Sequence, residues 1–280
     1  TITPKLSSKI LSTTGMARYF WNPTIFKNAI KEVIIMREYA GFNGRFVQKI
    51  SPPLGTRFIV FGELQGAFHS LIRCLRSLQH EGLINENLGI ERPDCYIVFN
   101  GNACSRSPYA LETLTILLNI LLKNPNNTIY IRGSQEDKER WMNYSLKNDL
   151  VNRAYMLDNS IIPLQDLVTR FFNTLPLALY IIGSQSDKNV ELLRISNYGT
   201  ELKDKELQEK EFSEFFTKPN MAVTHVTPEA RKKSSLGIRM RAIIRGEQYF
   251  RSHYLPSQGL TMSGKEEGAT SWRVTSSPNL

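Results

Sequence analysis

The chain has 280 residues, 41% of them apolar and 22% charged, the composition of a globular protein rather than a disordered, fibrous or membrane one. Its longest apolar run, Leu175 to Ile182, is far shorter than the roughly 20 residues a membrane-spanning helix requires. The formal charge of +9 gathers at the two ends, over residues 1–55 and 221–280. The basic residues there are scattered and not interleaved with aromatic ones, so a solvated surface is expected and a nucleic-acid partner is not. Cys74, Cys95 and Cys104 show no paired spacing and no CxxC, and His69, His80, His225 and His253 no zinc-finger spacing. Free thiols, no structural zinc and an intracellular location in cytoplasm or nucleus are the expectation. The start at Thr1, without Met or leader, is read as that of a fragment or processed chain.

In chain order, residues 1–50 read as an N-terminal helical extension, with the clearest helix from Ile25 to Tyr39, and residues 51–280 as the main domain. A unit then recurs three times: a short β-branched run ending at glycine, a polar turn, and a helix. Arg57 to Gly62 leads into a helix with Leu71, Ile72, Leu75 and Leu78 on one face. Tyr96 to Gly101 leads into a helix opened by Ser107 and Pro108, with Leu114, Leu117, Leu118, Leu121 and Leu122 as its buried stripe. Thr128 to Gly133 leads into a charged helix. This order of elements predicts three parallel strands whose carboxyl ends share one edge, the edge where such sheets build sites. Strands are also expected over 177–182, 191–196, 241–246 and 272–277, forming a second sheet, with Glu201 to Glu214 as a solvated, charged segment.

The turns that end these strands resemble, in order, the signature blocks of the serine/threonine phosphoprotein phosphatases, within the calcineurin-like metallophosphoesterases. The family's GDxHG stands as Gly62-Glu63-Leu64-Gln65-Gly66, its GDxVDRG as Gly101-Asn102-Ala103-Cys104-Ser105-Arg106-Ser107, and its RGNHE as Arg132-Gly133-Ser134-Gln135-Glu136. Residues 173–178 resemble its leucine-proline segment, Asn197-Tyr198-Gly199 its HGG, Arg245-Gly246-Glu247-Gln248 its RGHE-like block, and residues 275–280 its closing block. The resemblance implies an α/β fold with central mixed β-sheets in a sandwich flanked by helices. It also implies that the loops at 62–66, 101–107, 133–136, 197–199 and 245–248 converge on one cleft.

In that family two metal ions held by Asp, His and Asn activate a water. The corresponding positions here are Glu63, Gln65, Asn102, Ser134, Asn197 and Glu247, none of them the family's residue type. Gln135 stands where the general-acid His would be, and Ser105 where the Asp that orients it would be. The resemblance therefore implies a pseudophosphatase with no catalytic residues, no metal and no cofactor, whose ligand is a protein partner, phosphorylated or not. Arg106 matches the family's phosphate-holding Arg and is the candidate anion-binding residue, while Arg132 and Glu136 are expected to brace the loop. The alternative is a phosphoesterase with a rebuilt carboxylate/amide metal site, in which Glu63 and Glu247 offer hard oxygen ligands to Mg²⁺ or Ca²⁺. In the plainer reading these two carboxylates pair with Arg106 or Arg245.

Overall fold

The computed structural model describes residues 21–44, 46–105, 107–154, 161–185, 189–197, 220–221, 237–246, 259–266 and 269–275. Helix α1 (Pro23–Tyr39) begins where its residues dictate: Asn22 Oδ1 accepts from Thr24 N–H at 3.0 Å and Ile25 N–H at 3.1 Å, and Pro23 takes the first turn. Phe26, Ala29, Ile30, Val33 and Ile34 form its buried face, the spacing of one helical stripe. They join a single core with helices α2 (Phe68–His80) and α3 (Ala110–Lys123), where each fully buried aliphatic or aromatic side chain contributes about 1.5–3 kcal/mol. Arg37 is drawn into the same region. It donates to Thr174 O from Nε at 3.0 Å and Nη2 at 2.8 Å and lies over the Phe42 ring, and burial pulls its guanidinium down to about 10.

Strands β2 (Arg57–Phe61), β3 (Cys95–Phe99) and β4 (Thr128–Tyr130) form a three-stranded sheet, parallel throughout, as the strand-turn-helix order predicts. The second sheet has seven strands: β1 (Val47–Ile50), β5 (Ala178–Gln185), β6 (Asn189–Ser196), β7 (Asn220–Met221), β8 (Gly237–Arg245), β9 (Gly259–Glu266) and β10 (Ala269–Thr275). Their order is β7-β1-β5-β6-β8-β10-β9, with both parallel and antiparallel pairs. Val98, Ile129, Ile131, Leu179, Ile181 and Ile195 form a core of their own, drawing on strands of both sheets. The architecture is thus α/β, with one parallel and one mixed sheet flanked by helices.

Three local expectations are corrected. Val47–Ile50, placed by sequence in a helical extension, is a strand paired in register with Ala178–Ile181. The helix expected from Ser107 and Pro108 begins at Ala110; Ser107 Oγ instead accepts from Tyr109 N–H at 3.2 Å, closing a turn ahead of the helix. That helix is also buried on nearly every side rather than along one stripe. The charged helix after Gly133 is a 3₁₀ turn over Ser134–Glu136 followed by the short helix Lys138–Trp141. Residues 201–214 lie outside the described residues.

Candidate functional site

The carboxyl ends of β2, β3 and β4 lie side by side, and the turns that leave them are knitted together by backbone. Gln65 N–H donates to Asn102 O at 2.9 Å and Gly66 N–H to Ala103 O at 2.7 Å. Gln65 and Asn102 both have φ of +50°, a left-handed conformation uncommon for side-chain-bearing residues and concentrated at sites where the surroundings enforce it. The loops approach so closely that a Cβ on Gly133 would meet Asn102 N at 2.5 Å, and one on Gly101 (φ +74°) would meet Gly133 Cα at 2.7 Å. Only glycine fits these positions.

Glu136, reaching back from the third loop, is the clamp. Its Oε2 accepts the N–H of Asn102 at 2.9 Å and of Gly133 at 2.7 Å, and its Oε1 accepts Ala103 N–H at 2.9 Å and the Tyr130 hydroxyl at 2.9 Å. Burial pushes this carboxyl up from its ordinary value, opposed by those four hydrogen bonds. Arg132 braces the same loop from its other side, donating from Nη2 to Gly44 O at 2.7 Å.

Above the clamp, Glu63 gathers the side chains of three other residues. Asn102 Nδ2 donates to Glu63 Oε1 at 2.8 Å, Asn197 Nδ2 to the same oxygen at 3.3 Å, and Gln65 Nε2 to Oε2 at 2.9 Å. The orientation of two of these amides is fixed by groups that have no choice. Asn102 Oδ1 faces the backbone N–H of Gln135 at 2.9 Å, which can only donate, and Asn197 Nδ2 faces the Asn100 carbonyl at 2.7 Å, which can only accept. Ser134 Oγ adds a hydrogen bond to Asn102 Oδ1 at 3.3 Å. Gly246 closes the far side, its absent Cβ leaving room for Asn197 Nδ2.

Glu63, Gln65, Asn102, Ser134, Gln135 and Asn197 therefore come together, and all but Gln65 are buried. Ser105 is buried beside them, but its Oγ has no hydrogen-bond partner; neither do Gln135 Oε1, Asn197 Oδ1, or either side-chain polar atom of Asn100. Such groups are the usual hosts of ordered water. Asn100 was not singled out by sequence, although a polar residue closing the apolar run Tyr96 to Phe99 was a visible signal. Arg106 and Glu247 lie outside the described residues, as does the side chain of Arg245.

A metal centre of the kind the family resemblance implies does not fit these residues. A hard cation needs oxygen lone pairs aimed at a common point, whereas the groups aimed at Glu63 are amide N–H donors, and both Glu63 oxygens already accept from them. Among the described residues no three His, Cys, Asp or Glu side chains stand close enough to share an ion.

No protein-family model matches the chain. It is 25% identical over 124 residues to the serine/threonine-protein phosphatase PP2A-like PPG1 of Candida albicans, a match covering 44% of this chain and 26% of that protein. It is 27% identical over 101 residues to the serine/threonine-protein phosphatase 6 catalytic subunit of Caenorhabditis elegans (36% of this chain, 27% of that one). Against the serine/threonine-protein phosphatase PP1-1 of Saccharomyces cerevisiae it is again 27% identical over 101 residues (36% and 29%). The matched stretch thus spans little more than a quarter of each curated relative. A solved structure of a protein serine/threonine phosphatase from Saccharomyces cerevisiae, with similarity to human phosphatase PP5, superposes with a TM-score of 0.55. That superposition covers 99% of this chain and 84% of that one at 14% identity. The chain has the metallophosphoesterase fold and is a distant relative of the serine/threonine phosphoprotein phosphatases.

Proposed function

We propose that the chain is a pseudophosphatase: a phosphatase-like domain that works by binding a protein partner and does not hydrolyse phosphoesters. The observation that carries this reading is the Glu63 network, in which amide N–H groups of Asn102, Asn197 and Gln65 point at the one carboxylate of the centre. Hydrogen bonds tie the loops together where the family's catalysts use metal ions. Without a metal, the pKa of water stays near 15.7 rather than about 7, a deficit of roughly 12 kcal/mol in forming hydroxide. Gln135, at the general-acid position, has no proton to give near neutral pH.

The same network bears on what the domain binds. The Glu63 charge is met by neutral amides, so this part of the cleft repels a phosphoryl group and favours a protein ligand recognised elsewhere on the surface. One relative is by name a catalytic subunit, which fits a fold whose members assemble with other chains.

The test is hydrolysis of an aryl phosphate by the purified chain, with and without added Mn²⁺, beside a Glu63→Ala variant. No turnover above the uncatalysed rate is expected from either. Mn²⁺-stimulated hydrolysis that Glu63→Ala abolishes would overturn the reading and establish the rebuilt metal site in its place.

A further inference from the structure

The helix that follows the Gln65 turn carries a basic stripe on its outer face. In Phe68–His80 the residues Phe68, Leu71, Ile72, Leu75 and Leu78 are buried, while His69, Arg73, Ser77 and His80 are exposed and Arg76 is half-buried. At 3.6 residues per turn, His69, Arg73, Arg76, Ser77 and His80 fall within about 100° of arc. The helix contains no Asp or Glu. The first carboxylate beyond it, Glu81, accepts from Ser77 Oγ at 3.3 Å. Arg73 donates from Nη2 to the neutral Ser70 Oγ at 3.1 Å, a contact that leaves its charge uncompensated.

At the end nearest the cleft the stripe meets an aromatic cluster. The His69 ring stands edge-on to Tyr109 at 5.1 Å and to Phe68 at 5.4 Å, and Tyr109 is 38% exposed. Tyr109 follows Ser107, whose Cβ lies against Gly66, so the cluster borders the turn that carries Gln65.

We propose that this stripe docks an acidic, extended segment of a partner protein. Successive basic rows along the helix are about 5–6 Å apart, close to the roughly 6.6 Å between alternate side chains of an extended strand. Carboxylates at every second position therefore meet His69, Arg73, Arg76 and His80 in turn. The guanidinium of Arg73 offers a fork that matches a carboxylate, the imidazoles add N–H donors, and the exposed edge of Tyr109 covers an apolar residue at one end. Thirteen helical residues span about 20 Å, the length of about six extended residues. The inference deepens the partner-binding reading above and rests on it for the premise that the domain works by binding protein.

The experiment measures fluorescence anisotropy of a fluorescein-labelled peptide of alternating Glu and Ala, titrated with the full chain at low salt. The variant pair Arg73→Glu with Arg76→Glu should weaken binding about tenfold or more, about 1.4 kcal/mol. A charge-matched pair on the first helix, Lys27→Glu with Lys31→Glu, should change it by less than about twofold. Both variants are taken only if they unfold at the wild-type temperature. Failing that, Arg73→Gln with Arg76→Gln replaces the first pair. Equal weakening by the two pairs, or no binding by the wild type, overturns the proposal, because net charge alone then accounts for any attraction. Tighter binding of labelled oligothymidine that the Arg73/Arg76 pair abolishes overturns it in favour of a nucleic-acid surface. Loss of peptide binding in a chain that still hydrolyses no aryl phosphate removes only this proposal and leaves the pseudophosphatase reading standing.

Discussion

Asn102 holds two loops at once: its Nδ2 donates to Glu63 Oε1 at 2.8 Å while its Oδ1 accepts the backbone N–H of Gln135 at 2.9 Å. A carboxylate in its place would keep the second contact and lose the first. Asn102→Asp should therefore destabilise the fold by about 2–4 kcal/mol at pH 8, since two buried carboxylates would share one position without a cation. The folded pair would bind a proton more tightly than the unfolded chain does, so stability is retained at low pH and lost as pH rises. Urea unfolding of the variant and the wild type at pH 5 and pH 8 measures this; a penalty equal at both would show that the two side chains do not meet.

Glu136 binds three backbone N–H groups and one hydroxyl through two oxygens. Glu136→Gln replaces one of those oxygens with an NH₂ that faces donors. The expected cost is about 3 kcal/mol, read as a lower urea midpoint at unchanged slope. A variant as stable as the wild type would mean that the clamp does not form.

Gly133→Ala tests the close approach of the loops. Its new Cβ would press on Asn102 N, 2.5 Å away, and backbone cannot swing aside as a side chain can. Overpacking of this kind costs about 1–3 kcal/mol. Because the strain falls on Asn102, combining Gly133→Ala with Asn102→Asp should cost less than the sum of the two, measurable in a double-mutant cycle.

A separate carboxylate pair lies between two helices. Glu112 Oε1 pairs with Arg153 Nη2 at 2.5 Å, and Asp149 Oδ2 lies 3.7 Å from the same guanidinium. Burial first, and then the Glu112 charge, push the Asp149 carboxyl from 3.8 up to about 6, against the pull of Arg153. A carboxyl raised on folding contributes stability that is present at low pH and lost as pH rises through the folded value. Asp149→Asn should thus melt close to the wild type at pH 4, gain on it between pH 4 and about pH 6, and hold a constant advantage above. A melting difference flat across that range would contradict the shift.

The three parallel strands were legible because each is a β-branched or aromatic run that stops at a glycine needed for loop packing, as Gly101 and Gly133 illustrate. The order of the polar turns was enough to anticipate that Glu63 and Asn102 would lie together, and they hydrogen-bond. Strand β1 was missed because Val47-Gln-Lys-Ile50 is four residues long and acquires strand character only from its partner Ala178–Ile181. Strand β9, Gly259–Glu266, is largely polar and carries no alternation to read. The start of the third helix was misplaced because Ser107 caps a turn rather than the helix. Least legible was the direction of the amides: Asn102 and Asn197 point nitrogen at Glu63 only because Gln135 N–H and the Asn100 carbonyl, distant in sequence, leave no other orientation.

The central claim is that hydrogen bonds among Glu63, Gln65, Asn102 and Asn197 stand where the phosphatases hold metal. The most direct measurement is elemental analysis by mass spectrometry of the chain purified without chelator, then saturated with Mn²⁺ and desalted. The account predicts metal far below one ion per chain in both preparations, unchanged in Glu63→Ala. One or more ions retained per chain, and lost in Glu63→Ala, would contradict it.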